Sequence, residues 1–237
     1  MKPLMYAIEG ERLPTWNPHP GCEFECTYCY GPRTYARSKC PKCRAFKPHL
    51  DHVEYRLKQT FQKGNTYFVE SLGDPFFIPP DIFQQIIDHL AEFPDTRFML
   101  QSKNPIYFRD LKFSKNVWLG TTIETNYDNL AEIYSKAPVP SLRANGLWLV
   151  KHEQQKTEIY LTIEPVLAFD LLKMMGIVEF LKPAKIYIGR DNHGNKLPEP
   201  SEDDLMYLVE ELEKVIGKEH VHRKTLGLAW WEKNKWK

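Results

Sequence analysis

The sequence predicts an α/β fold built as a partial, open barrel of six strand–helix units. Strand and helix patterns alternate about six times along the chain, which implies parallel strands joined by crossover helices. The chain has 237 residues, whereas a closed eightfold barrel normally takes about 250, and it holds too few units to close one. Polar residues follow five successive strand patterns, and α/β barrels gather their sites at the C-terminal ends of their strands.

The elements read in order as follows. Thr15 to Pro18 ends a first short strand leading into a cysteine loop. Residues 30–52, rich in Pro, Lys and Arg, read as an irregular insertion. Val53 to Gln62 reads as a helix. Thr66 to Glu70 is β-branched and aromatic, hence a strand. Asp81 to Phe93 is a helix, with Asp81 as its expected N-cap after Pro79-Pro80. Strands are expected at Arg97–Gln101, Val117–Ile123, Ile159–Ile163 and, as the last, Lys185–Ile188. Helices are expected near Ile106–Leu111 and at Tyr127–Ser135, Ser141–Lys151, Leu171–Leu181 and Glu202–Ile216. The barrel is expected over residues 1–200, with a basic Cys/His-containing insertion at about 31–52. Residues 201–237 then form a C-terminal helix and a basic, Trp-rich tail packing on the barrel.

Apolar residues make up 42% of the chain and charged residues 27%, an ordinary globular balance able to bury a large core. No apolar run reaches membrane-spanning length and the N-terminus lacks a signal-peptide pattern, so no membrane association is expected. Five cysteines, an odd number, argue against a secreted disulfide framework. A reducing, cytoplasmic setting is expected. The net charge of +1 carries no overall nucleic-acid footprint. Between Pro32 and Lys47, however, six basic residues (Arg33, Arg37, Lys39, Lys42, Arg44, Lys47) stand with no acid. Residues 201–213 are acid-rich, as on a solvated helix face. The last twenty residues hold six Lys or Arg against two acids, with Trp230, Trp231 and Trp236.

Cys22, Cys26 and Cys29 form a C-x3-C-x2-C run with Tyr28 before the last cysteine. Three thiolates this close can hold three irons of a [4Fe-4S] cluster and leave the fourth iron open. Part of a zinc site, or buried thiols, are the plainer readings, although zinc fingers usually add a second distant pair. The run resembles that of the radical S-adenosylmethionine (SAM) superfamily. The resemblance implies that the open iron is chelated by the amino and carboxylate groups of SAM. It also implies that an electron from the cluster breaks the sulfonium bond and releases a 5′-deoxyadenosyl radical, which abstracts hydrogen from a substrate. An external electron donor of flavodoxin or ferredoxin type is then needed.

The strand ends read consistently with this. Ser71-Leu72-Gly73-Asp74-Pro75-Phe76 resembles the Gly-acid segment that holds the methionine amino group in that superfamily; a simple Gly-Asp-Pro turn is the alternative. Lys103 is a candidate partner of the methionine carboxylate, or a solvated loop lysine. Thr121, Thr122 and Glu124 are candidates for the ribose hydroxyls or the methionine portion. Glu164 and Arg190 are candidates to face SAM or the substrate. With Tyr28, Gly73 and Asp74 these complete the expected SAM-binding set; no catalytic residue is identified.

The series Trp16-Asn17-Pro18, the cysteine loop, Phe68 to Phe76, Ser102-Lys103, Asn116 to Glu124 and Ile163 to Leu167 resembles two radical SAM groups. One is the phage-associated group of unassigned function (phage Gp37/Gp68-like); the other, more distant, is spore photoproduct lyase-like. The resemblance spans about residues 15–195 and implies an open barrel of the radical SAM type. It also suggests a hydrogen-donating cysteine near the second strand. Residues 66–77 contain none, which argues against thymine-dimer repair.

Cys40-Pro41-Lys42-Cys43, followed by His49 and His52, has the ligand types for tetrahedral zinc, which would pin a polar insertion with little core of its own. Free thiols, a redox pair, or an auxiliary cluster are the other readings, the last short of thiolates. The expected function is therefore a radical SAM enzyme, with a nucleic acid or nucleotide as the leading substrate class. The basic insertion and the Trp-rich tail motivate that class, since aromatics stack bases while Lys and Arg meet phosphates. The tail tryptophans simply packing on the barrel is the plainer reading. A peptide or small metabolite is the second substrate class, and a non-enzymatic, zinc-stabilised nucleic-acid-binding module the alternative function.

Overall fold

A computed structural model describes residues 7–8, 11–154 and 157–233. A small antiparallel pair, β1 (Ala7–Ile8) and β2 (Glu11–Arg12), precedes the main sheet. Seven parallel strands follow in chain order across one open sheet: β3 (Thr15–Trp16), β4 (Thr66–Val69), β5 (Arg97–Gln101), β6 (Val117–Thr122), β7 (Ile159–Ile163), β8 (Lys185–Ile188) and β9 (Val221–Arg223). This is the open partial α/β barrel expected from the sequence, with one more strand.

The crossovers carry helices α1 (Gly31–Tyr35), α2 (Pro41–Arg44) and α3 (Val53–Arg56) after β3, α4 (Pro80–Ala91) after β4, and α5 (Asp128–Tyr134) and α6 (Pro140–Glu153) after β6. Helix α7 (Leu171–Leu181) follows β7, and α8 (Glu202–Ile216) follows β8. Single 3-10 turns lie at Pro75–Phe77, Pro105–Phe108 and Lys218–His220.

Alternation along the strands builds two layers. Val69, Phe98, Leu100, Val117, Leu119, Leu161, Ile186 and Ile188 share one core with Phe83, Ile86, Leu147, Val178, Leu205 and Val209 of the helices. Full burial of such a side chain contributes roughly 1.5–3 kcal/mol. Phe68, Met99, Tyr160 and Tyr187 fill the other face, with Trp118 packed against them. Gly120 sits opposite Tyr160 in register, and a Cβ there would lie 2.5 Å from the Tyr160 ring. Nearer the C-terminal strand ends this inner layer turns polar. Gln101 donates to Thr122 Oγ1 (2.8 Å), and Thr162 donates to Gln101 Oε1 (3.1 Å).

Several sequence expectations need correction. The helix expected over Val53–Gln62 is only the four-residue α3. Tertiary contacts take the rest of that stretch. Trp16 donates its indole N–H to Gln59 Oε1 (3.0 Å), and Phe61 stacks edge-on to Trp16 and Phe98. Asp81 is not the cap of α4; Pro79 holds that position and Asp81 lies in the first turn, where its charge still favours the helix dipole. The insertion is less irregular than expected, since α1 and α2 lie within it. Lys185–Ile188 is not the last strand. The short edge strand β9, with His222 and Arg223 beside Val221, carries too little apolar pattern to stand out. Trp236 lies outside the described residues.

Candidate functional site

The parallel register delivers the C-terminal end of every main strand to one rim, and polar contacts tie the rim loops together in order. The cysteine loop leaves β3 and is pinned to the loop after β4. Gly21 donates its N–H to Leu72 O (2.9 Å) and forms a parallel bridge with Gly73. Asn17 Oδ1 accepts from the Leu72 N–H (2.8 Å) and the Ser71 hydroxyl (3.0 Å). Tyr30 donates to Ser71 O. Gly73 is required by this approach, because a Cβ would lie 2.3 Å from His19 O.

Cys22, Cys26 and Cys29 are half-buried free thiols on this loop. Burial pushes the Cys22 thiol well up, and Asp74 adds to it; burial likewise pushes Cys29 up, to about 11. Such a loop favours thiolates only with a cation among them. Cys26 Sγ touches Ser135 Oγ at 3.1 Å. Among the described residues, the group of three or more Cys, His, Asp or Glu donors lying within 4.8 Å of one another is Cys40, Cys43, His49 and His52.

Asp74 is buried and its carboxylate is well occupied. It accepts from the Phe76 N–H (3.0 Å), the Ser102 hydroxyl (2.6 Å) and the Lys103 N–H (2.9 Å), joining the β4 and β5 ends. Burial still raises its pKa. Tyr28, Lys103 and Glu124 meet in one network. Glu124 Oε1 accepts from the Tyr28 hydroxyl (2.5 Å) and from Lys103 Nζ (2.9 Å), and Lys103 Nζ also donates to the Tyr28 oxygen (2.5 Å). On its other side, Glu124 Oε2 accepts from Arg143 Nη1 (2.5 Å). Arg143 also donates to Thr122 O (2.9 Å) and Pro138 O (2.5 Å). Glu124 and Arg143 are both fully buried. Lys103 and Arg143 outweigh the desolvation of Glu124 and hold its carboxyl well below the usual range.

Glu164 at the end of β7 pairs with Lys224 just past β9. Burial raises its pKa, with Lys224 acting against that. Arg190 turns toward the C-terminal segment, donating to Gly227 O (2.5 Å) and Pro200 O (2.9 Å) beside Glu199. The rim therefore brings Tyr28, Gly73, Asp74, Lys103, Thr122 and Glu124 together with the cysteine loop, while Glu164 and Arg190 belong to its β7–β9 side. Trp230 and Trp231 donate their indole N–H groups to Leu197 O (2.7 Å) and Glu199 O (3.1 Å), which fastens the tail to the loop after β8.

Three further residues escape sequence reading. Arg143 lies on α6 between Leu142 and Ala144, and a charge among the apolar residues of the first half of that helix is the only signal. Glu70, the residue after β4, has φ 59°. One of its oxygens accepts from the His19 N–H (2.9 Å), the other has no partner, and burial keeps its pKa well raised. His19 is fully buried with neither ring nitrogen hydrogen-bonded. Burial first, then the charge of His49, lowers its pKa from 6.5 to about 4. The unfolded chain takes up a proton near pH 6.5 that the folded chain refuses until about 4. Stability from this residue is therefore complete above pH 6.5 and falls as the pH drops toward 4, by about 3 kcal/mol in all. Urea titrations in chelator at pH 7 and pH 4.5 should show this loss reduced in His19→Gln; equal losses in both chains would assign it elsewhere.

A family model described as a protein of unknown function, DUF5131, matches residues 11–143, more than half of the chain. No curated protein matches. Among solved structures, a cysteine-to-alanine mutant of spore photoproduct lyase with dinucleoside spore photoproduct superposes with a TM-score of 0.61 at 8% identity, covering 86% of this chain and 74% of that one. HydG, a maturase of the [FeFe]-hydrogenase, gives 0.56 at 14% identity, over 89% of this chain and 52% of its own. Streptococcus suis SuiB bound to S-adenosylmethionine gives 0.54 at 11%, over 91% and 51%. At these identities the likeness concerns the fold.

Proposed function

The chain belongs to the DUF5131 family of proteins of unknown function, and from that premise and its fold we propose that it is a radical SAM enzyme. The observation that carries this reading is the set of three unpaired cysteines on the loop after the first strand of an open parallel barrel. SuiB, which shares the fold, is bound to S-adenosylmethionine. The donor set fits a [4Fe-4S] cluster: three half-buried free thiols on one loop would hold three irons and leave the fourth to a small molecule. When bound, the cluster would supply the electron that cleaves SAM to a 5′-deoxyadenosyl radical.

The protein's own residues bind and orient. Cys22, Cys26 and Cys29 would hold the irons. Gly73 lets the backbone approach the cysteine loop, and Asp74 fixes that turn against Ser102 and Lys103. Tyr28, Lys103, Thr122 and Glu124 line the SAM side, with the Glu124 charge balanced by Lys103 and Arg143. Glu164 and Arg190 complete the opposite side, Arg190 through the tail it holds. The electron comes from an external flavodoxin- or ferredoxin-type donor in a reducing cytoplasm. No helix among the described residues is long and apolar enough to cross a membrane.

The leading substrate class is a nucleic acid or nucleotide, supported by the six basic residues between Pro32 and Lys47. The tail adds less to this than its composition suggests, since the Trp230 and Trp231 N–H groups are spent on the chain itself. A peptide or small metabolite is the second class. The test is anaerobic reconstitution with iron and sulfide, then SAM and a strong reductant. A brown protein that forms 5′-deoxyadenosine is the expected result. A colourless protein that takes up zinc but no iron would replace the enzyme with a metal-stabilised binding module.

A further inference from the structure

The insertion after the cysteine loop carries a second donor set that the proposed chemistry does not use. Cys40 is the N-cap of α2, and its Sγ accepts from the Cys43 N–H (3.1 Å). Cys43 is buried, and its Sγ lies 3.3 Å from His49 Nε2 and 3.2 Å from His52 Nε2. Cys40 Sγ lies 3.7 Å from His49 Nε2. Tetrahedral zinc, with bonds of about 2.3 Å to sulfur and 2.0–2.1 Å to nitrogen, sets neighbouring donors roughly 3.3–3.8 Å apart. His49 presents its other ring nitrogen to Asp51 Oδ2 at 3.5 Å, and Asp51 is itself held by Lys42 (2.9 Å). That contact is too long for a hydrogen bond and His49 Nδ1 has no other partner among the described residues, but a carboxylate stands on the side from which zinc-binding imidazoles are commonly supported. The two sulfurs also stand in disulfide contact. A disulfide alone, however, gives two imidazoles no reason to turn Nε2 toward the same sulfur.

This donor set sits directly behind the first cluster cysteine. Between Cys43 and His49 the chain turns through Phe46, at φ 53°. Phe46 O accepts the Cys22 N–H (3.2 Å). The backbone of Lys47 and Pro48 lies so close to Gly21 that a Cβ there would meet it at 2.4 Å. The Phe46 ring closes on Gly31 in the same way, at 2.2 Å. The insertion has little apolar core to hold this turn by itself.

We propose that Cys40, Cys43, His49 and His52 bind one structural Zn2+, and that this ion fixes the Phe46–Pro48 turn against which Gly21 and Cys22 are packed. The test uses the full chain with Cys22, Cys26 and Cys29 all replaced by alanine, so that no cluster forms and the radical SAM reading is not at stake. Purified anaerobically without chelator, it should hold about one zinc per chain, and adding Cys43→Ser or His49→Ala with His52→Ala should remove it. Cobalt should replace the zinc with the visible spectrum of a tetrahedral thiolate site. Trypsin should cut between Arg33 and Lys47 at least tenfold faster after chelator treatment. Absence of zinc with Cys40 and Cys43 recovered as a disulfide would overturn the site. Zinc retained by both sets of variants would place the metal elsewhere. Zinc bound without any change in proteolysis would overturn its role in fixing the turn.

Discussion

Cys26→Ala is expected to bring 5′-deoxyadenosine formation down to the level of the reagents alone, while leaving the fold intact. With Cys26 gone, only two thiols of the loop remain, and the proposed cluster would lose one of its three protein anchors. Ligands of one cluster act as a unit, so the loss is all or nothing rather than a third. The fold has little stake in this side chain. Cys26 is half-buried at the edge of a small apolar group of Tyr28, Leu167 and Leu197, and its Sγ has one polar contact, Ser135 Oγ. A stability change within about 1 kcal/mol is expected. Iron content, product analysis and a thermal melt on the same preparation check all three statements. Undiminished SAM cleavage in the variant would remove the cysteine loop from the chemistry.

The largest effect on stability is expected at Glu124. Replacing it with glutamine keeps the shape but leaves Arg143, fully buried, and Lys103, nearly so, facing each other without an anion. Removing one partner of a buried ion pair typically costs about 3–5 kcal/mol. Arg143→Met should cost less than the charge count suggests, because it leaves Glu124 with Lys103 and the Tyr28 hydroxyl. It still sacrifices the hydrogen bonds to Thr122 O and Pro138 O. The pH dependence follows from the depressed carboxyl. The Glu124 contribution is complete above its ordinary pKa of 4.5 and is lost as the pH falls through the lower folded value. Urea titration from pH 7 downward should show that loss in the native chain and not in Glu124→Gln. A variant as stable as the native chain would mean that the network is solvated and dispensable.

Much of this molecule was legible in its sequence because the relevant signals are local. The cysteine run needs only residues 22–29, and the second donor set only residues 40–52. β5, β7 and β8 and helix α7 fall where their patterns end, because apolar periodicity and flanking turn residues act within a few positions. The α3 stretch failed for the opposite reason. Its local pattern favours a helix, but Phe61 gains more from Trp16 and Phe98 than from a further helical turn.

By itself, then, the sequence determined the open α/β barrel, its cysteine loop and the residue types of both candidate metal-ligand groups. Only the tertiary structure decided which charges meet. Tyr28 reaches Glu124 across 96 positions, Lys103 across 21 and Arg143 across 19. The Glu70 carboxylate reaches His19 across 51. Parallel register sets these meetings by bringing the ends of distant strands to one rim, and no short-range pattern encodes which side chains then face one another. β9 belongs with them. Its three residues pair with Ile186, Tyr187 and Ile188, and the hydrogen bonds of an existing sheet edge make a strand of a segment whose own propensity is slight.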